Sequence, residues 1–391
     1  MTPIQQHYYK CGDKIFTSKI NALIAAKATG RPVDWLFHDD IYKKYSWDVE
    51  PDVSLDALYD IRARELREKY DYLIISYSGG SDSHNVVQSF IRQNLHIDEL
   101  VTNHWSGVSK STTVLDTTVT ENWNINAEHE LQAMPRLKEL SEKLPRTKIT
   151  VLDASQTILD SMASYDDESW IMNKNDYLSF GHLFRYNYFY FNELKKQFDK
   201  NLKIGVILGA EKPRTKIVDN EFYVYFPDNA VNIVTIKDHK VGNDDHDNLT
   251  VEMFYWGETT APIVCKQAYV IKRWLEQNPD KQALWINPTG ETVRLYHEKY
   301  MRKLLYTTTW NQDWFQTDKS TDWWYSQFDY WNRHPQFAKE FANWERGINY
   351  VAKHLSEWII LNKDNKPDRF KTFTKTYKIG KMHNEKPRLI V

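Results

Sequence analysis

The sequence predicts an α/β fold built on a parallel sheet flanked by helices. It also predicts a helical extension over residues 1–70 and a mainly helical, tryptophan-rich region over 241–391. Three observations carry this. Residues 72–77 form an almost continuous apolar run, Tyr-Leu-Ile-Ile-Ser-Tyr, as expected of a strand buried on both faces. The run ends on Ser78-Gly79-Gly80-Ser81-Asp82-Ser83, after which Val86, Val87, Phe90 and Ile91 recur at helical spacing. Strand-like runs then alternate with helical segments over 71–240, the signature of a parallel sheet with helices on both faces.

Within 1–70, Ile20, Leu23, Ile24 and Ala28 predict a helix over 15–28, broken at Gly30-Arg31-Pro32. Ser54 is placed to cap a second helix over 54–70, with Leu55, Leu58, Ile61 and Leu66 as its apolar face. After the first strand and helix, strands are expected at 97–102, 148–152 and 203–208, with helices at 127–143 and 182–200. Beyond 240, residues 262–277 read as a helix. Residues 363–391 carry nine Lys/Arg against three Asp/Glu, a basic tail of the kind that is usually loosely docked.

The chain has 391 residues, enough for two domains or one large domain with additions. A net charge of −2 excludes bulk attraction to polyanions as the basis of function. Cys11 and Cys265 stand far apart in no metal-binding spacing, which argues against a disulfide framework or a structural zinc and fits a reducing cytoplasm. No basic segment followed by an apolar run opens the chain, and no run of 18 apolar residues occurs, so neither a signal peptide nor a membrane span is expected.

Residues 78–83 carry the chemistry. They follow a buried strand, where open α/β sheets bind ligands. Two glycines let backbone approach an anion, the next helix points its N–H groups and positive dipole end at the same place, and three serines add donors. This is a phosphate cradle, but not a Walker A loop, because the GxxxxGK[ST] spacing is absent. Asp82 beside an anion suits either a helix cap or a Mg²⁺ ligand.

The six residues resemble the SGGxDS loop of the PP-loop ATP pyrophosphatases, a superfamily that includes asparagine, GMP and NAD synthetases, the queuosine-precursor nitrile synthase, tRNA lysidine synthetase and the PAPS reductases. The match covers six residues, or 71–94 with the flanking strand and helix. The resemblance implies a HUP-type fold, with ATP and Mg²⁺ as cofactors. It further implies ATP cleavage between the α and β phosphates, with AMP passed to a carboxylate or carbonyl oxygen for displacement by an amine or ammonia. It implies phosphate binding by Ser78, Gly79, Gly80, Ser81, Asp82 and Ser83, and contact of the backbone near Thr102 and Asn103 with adenine. A second loop, 208–214, resembles the Mg²⁺–pyrophosphate loop of such synthetases more loosely. There Glu211 would join Asp82 in holding Mg²⁺, and Lys212 and Arg214, with Lys216 beyond them, would neutralise the leaving pyrophosphate.

Other polar clusters read as structural. The adjacent residues Asp244, Asp245, His246 and Asp247 cannot all converge on one ion and suit a solvated loop, as do His38, Asp39 and Asp40. Asn126, Glu128 and His129 read as a helix start, and Arg185 as a salt-bridge former. The tryptophans from Trp310 to Trp358, among them Trp314, Trp323, Trp324, Trp331 and Trp344, read as helix packing, with a stacking platform for flat substrates as the alternative.

The leading expectation is therefore an adenylating ligase acting on a small molecule, with Asp82, Lys212 and Arg214 as its catalytic residues. No cysteine follows Met1 and no glutaminase domain precedes residue 71, so nitrogen would come from free ammonia, an amine or a separate donor protein. Two alternatives share the loop: modification of a tRNA or DNA base by the same chemistry, and a non-catalytic ATP-binding partner protein.

Overall fold

The computed structural model of the chain describes residues 7–104, 129–153, 160, 163–173, 201–210, 212–228, 248–289, 292–311, 338–361, 365 and 367–383. The N-terminal region opens on a hairpin. β1 (His7–Cys11) and β2 (Lys14–Phe16) pair antiparallel around Gly12, whose φ of 60° lies in the region glycine enters without strain. α1 (Lys19–Thr29) follows. Its N-cap Ser18 accepts from the Asn21 N–H, and Gly30 ends it at φ 68°. β3 (Val33–Phe37) then pairs antiparallel with the other edge of β1. The helical expectation for 1–70 is thus corrected to a mixed region. The spacing at Ile20 and Leu23 does mark a helix, but Ile15 belongs to the hairpin and is 61% exposed. α2 (Asp39–Tyr42) is one turn; α3 (Leu55–Lys69) is capped by Ser54, which accepts from the Ala57 N–H.

The central sheet is built from β4 (Tyr72–Ser76), β5 (Glu99–Asn103), β6 (Lys148–Leu152), β7 (Ile204–Leu208) and, after an antiparallel pair β8 (Arg214–Val218) and β9 (Glu221–Pro227), β10 (Leu249–Met253). All five strands pair parallel in the order β10-β7-β4-β5-β6. α4 (Ser81–Arg92) joins β4 to β5. A π-helical turn, His129–Ala133, runs into α5 (Met134–Lys143) before β6. Alternate residues of the strands join different clusters. Leu73, Ile75, Leu100 and Ile207 pack with Val86, Val87 and Phe90 of α4, while Ile74, Val101, Val206 and Val251 form a separate cluster. This is the period-two pattern of a sheet buried on both faces. β10 lies past residue 240, so the sheet crosses the boundary drawn there from sequence. The helix expected at 182–200 lies outside the described residues.

α6 (Ala261–Gln277) packs on α3, where Gln267 Nε2 donates to Tyr59 OH at 3.0 Å. α7 (Glu298–Leu305) follows. α8 (Ala338–His354) packs with α1 and Trp170 in a further apolar cluster that includes Ile20, Leu23, Ile348 and Val351. The chain then returns to strand: β11 (Ile359–Leu361) pairs with β12 (Pro367–Phe370), and β13 (Thr374–Lys381) pairs antiparallel with β9. The basic tail is thereby corrected from a loose terminus to sheet through Lys381. Two of its cations are engaged within the protein: Lys375 pairs with Asp39 at 3.3 Å and Lys378 with Glu221 at 3.0 Å. The main core draws on Tyr9, Leu73, Tyr255, Met301 and Met382, so side chains from all three sequence regions share it.

Trp256 and Trp285 are fully buried, and Trp285 stacks on His297 at 3.8 Å while donating to Thr215 Oγ1. Of the later tryptophans, Trp310 packs against the main core, and Trp344 and Trp358 against the α8 cluster. For these three, packing is the reading that holds. Trp314, Trp323, Trp324 and Trp331 lie outside the described residues, as do Arg185 and 244–247. Among the described residues no helix is long and apolar enough to cross a membrane.

Candidate functional site

The strand order decides where a site can form. From β4 the chain moves through α4 to β5 on one side; from β7 it proceeds to β10 on the other. β4 and β7 are neighbours, so their carboxyl ends flank a topological switch point, the usual ligand crevice of an open α/β sheet. The loops after these strands are 77–80 and 209–213, and they contain both segments singled out by sequence.

The first loop is held by its own hydrogen bonds. The Ser78 N–H donates to Ser83 Oγ at 3.2 Å, Ser83 Oγ donates to the Gly80 carbonyl at 3.2 Å, and the Gly80 N–H donates to Ser78 Oγ at 3.3 Å. Ser83 therefore braces the loop, and both it and Ser81 are buried, whereas Ser78 is exposed. Gly79 sits at φ 77°, and a Cβ there would lie 2.4 Å from Ala133 N. Its missing side chain makes room for the π-helical turn, a packing requirement that comes from the fold. Gly80 is the N-cap of α4 in extended conformation. The N–H groups of the first turn of α4 point out at the switch point, as those of any helix start must.

The second loop presses on the first turn of α4: a Cβ on Gly209 would lie 2.7 Å from Ser83 Cα. Lys212, buried to 5% exposure, extends Nζ to within 2.6 Å of Asp82 Oδ2. Asp82 Oδ1 accepts from Tyr306 OH at 2.6 Å, and the Asp82 carbonyl accepts from Tyr255 OH at 3.0 Å. Burial would raise the Asp82 pKa, but Lys212, Arg302 and the Tyr306 hydroxyl together hold its carboxyl below the usual carboxylate value. Asn85 ties the same group together, donating to Tyr255 OH at 2.9 Å and accepting from Thr309 Oγ1 at 3.0 Å. Beneath it, His84 Nδ1 lies 3.0 Å from Tyr77 OH; burial first, then Arg136 and Lys143, push this imidazole down to about 4.

The other expected residues divide. Thr102 and Asn103 lie at the carboxyl end of β5, the strand next to β4, with Thr102 Oγ1 3.3 Å from His129 Nδ1 and the His129 ring 4.8 Å from that of His104. Arg214 is the first residue of β8, in register opposite Tyr225, and Lys216 lays its ammonium 5.5 Å from the centre of the Tyr225 ring. Strand alternation sends both toward Tyr225, whereas Lys212 still belongs to the loop. Glu211 lies outside the described residues, as do Asn126 and Glu128. His38 and Asp39 serve the fold. His38 stacks on Tyr42, and Asp39 accepts from the Phe37 N–H and pairs with Lys43.

The arrangement fits a polyphosphate: a braced loop, a helix N-terminus and one buried ammonium converge at a switch point. It fits a divalent ion less well. Both Asp82 oxygens are engaged, and among the described residues no three His, Cys, Asp or Glu are grouped to hold a metal. Glu211, the other ligand expected from sequence, lies outside the described residues. Nothing local in the sequence marks Tyr255 and Tyr306, which meet Asp82 from 173 and 224 positions away, or Thr309, which meets Asn85 from 224 positions away. No family model matches this chain, and no curated protein matches it significantly in sequence.

Proposed function

We propose that this chain is an ATP-dependent adenylating ligase of the PP-loop type, on a HUP-like variant of the parallel α/β fold. The observation that carries the reading is the Lys212–Asp82 contact at 2.6 Å, which joins the glycine loop to the loop after β7 across the switch point. The phosphates of ATP would meet the N–H groups opening α4. Lys212 would neutralise the charge that grows on the β and γ phosphates as the bond between Pα and the bridging oxygen breaks. A substrate carboxylate or carbonyl oxygen takes the AMP group, pyrophosphate leaves, and an amine or ammonia then displaces AMP. Thr102 and Asn103, on the adjacent strand end, would border the adenine. Magnesium would arrive with the nucleotide and screen its phosphates.

The test is pyrophosphate release from ATP and Mg²⁺ in the presence of candidate carboxylates, amines and tRNA. Release that disappears in Asp82→Ala supports the ligase. Tight ATP binding with no release under any of these conditions overturns it in favour of a non-catalytic ATP-binding protein.

A further inference from the structure

We infer that Tyr306 is a positioning residue of this nucleotide site, acting on Lys212 through the Asp82 carboxylate. The inference rests on the ATP-binding reading and assigns part of the site to a segment that the loop resemblance does not include. Tyr306 follows α7, is fully buried, and hydrogen-bonds Asp82 Oδ1 at 2.6 Å while Lys212 holds Oδ2 at 2.6 Å. One carboxylate is thus gripped at both oxygens from two distant elements. A phenol O–H is a directional donor, so it selects the side-chain rotation at which the second oxygen meets the ammonium.

The tyrosine is itself fixed. Its ring lies 5.9 Å from Tyr255 and 6.4 Å from Tyr59, and the Tyr59 hydroxyl donates to the Leu305 carbonyl at 3.1 Å. The Tyr306 N–H donates to the Arg302 carbonyl, and its own carbonyl accepts from the Thr309 and Trp310 N–H groups. Thr309 returns to α4 through Asn85. The stretch 305–309 is therefore a brace across the first turn of α4, and its one contact with the Asp82 carboxylate is the Tyr306 hydroxyl. Without that hydroxyl, Asp82 can rotate and the ammonium loses its fixed place before the α4 N-terminus. A disordered cation binds a phosphate chain less tightly, because it must be ordered on binding.

Calorimetric titration with ATP, and separately with inorganic pyrophosphate, tests this in four proteins: wild type, Tyr306→Phe, Lys212→Met and the double variant. Thermal unfolding checks that each is folded. Tyr306→Phe is expected to weaken binding roughly tenfold in the wild-type background and by less than about twofold once Lys212 is gone. A merely structural tyrosine would weaken both backgrounds equally, and that additivity overturns the inference while leaving the ATP-binding reading in place. Unchanged affinity in Tyr306→Phe overturns it in the same way. Failure of the folded wild-type protein to bind either ligand overturns the ATP-binding reading itself, and the inference falls with it.

Discussion

Lys212 reaches Asp82 across 130 positions of chain and closes to 2.6 Å with side-chain exposures of 7% and 26%. A pair this sheltered resists removal of either half. Breaking a fully buried pair costs about 3–5 kcal/mol; the partial exposure of Asp82 reduces this to about 2 kcal/mol for Lys212→Met. Urea unfolding at pH 7 measures it. The carboxyl titrates below its ordinary value in the folded protein. Its contribution is therefore complete above the unfolded carboxyl's titration near pH 4 and is lost as pH falls through the lower folded value. Asp82→Asn should remove that acid-side slope.

Gly79 and Ala133 set a second test. A Cβ at position 79 would stand 2.4 Å from Ala133 N and 2.5 Å from its Cα, both backbone atoms that cannot swing aside. The residue also holds φ 77°. Overpacking and left-handed strain add, so Gly79→Ala should lose about 3 kcal/mol. A Gly79→Ala variant as stable as wild type by urea midpoint would show that the π-helical turn does not rest on this loop.

His84 gives the protein a pH dependence of opposite origin. Its imidazole is 3% exposed and takes up a proton only near pH 4, against 6.5 when unfolded. Between those values the unfolded chain binds a proton that the folded chain refuses. Stability from this group is thus full above pH 6.5 and declines as pH falls toward 4. The shift corresponds to about 2 kcal/mol lost between pH 7 and pH 5. His84→Gln should flatten that interval in urea unfolding; an unchanged slope would place the titration elsewhere.

These cases show which parts of the protein can be read from its sequence. The strand–loop–helix unit around Gly79 is legible because its signals are local: an apolar run, a glycine pair, then helical spacing. The N-terminal hairpin is marked only by Gly12, and the helical pattern that begins at Ile20 masks it. β10 is no shorter than β4 to β7, but its apolar residues Leu249, Val251 and Met253 alternate with Thr250 and Glu252 instead of forming a continuous run. The meaning of Asp82 changes most. Read alone it is an acid beside an anion, which invites a metal; its lysine and tyrosine partners lie 130 and 224 positions away, beyond any local pattern. Proximity in sequence groups Arg214 with Lys212, but β8 begins between them and turns their roles apart.

Lys19 and Asp228 supply the last test, in the core that joins the N-terminal sheet to β9 and β13. Lys19 Nζ lies 2.7 Å from Asp228 Oδ2, with both side chains at 1% exposure or less. Tyr9 OH donates to the same oxygen at 2.8 Å, and the Phe373 N–H donates to Oδ1 at 3.1 Å. Burial pushes the Asp228 carboxyl up, opposed by Lys19, Tyr9 and that N–H. Lys19→Met removes the ammonium that faces this buried carboxylate and should cost about 3–5 kcal/mol at pH 7. The carboxyl then titrates still higher in the folded protein, which binds a proton the unfolded chain does not. Stability from it is present at low pH and lost as pH rises through the folded value. The variant should therefore recover part of its loss between pH 7 and pH 5, and Lys19→Met/Asp228→Asn should be more stable than Lys19→Met at pH 7. Equal stability of the single and double variants at pH 7 would mean that Asp228 already carries its proton at pH 7 once Lys19 is gone.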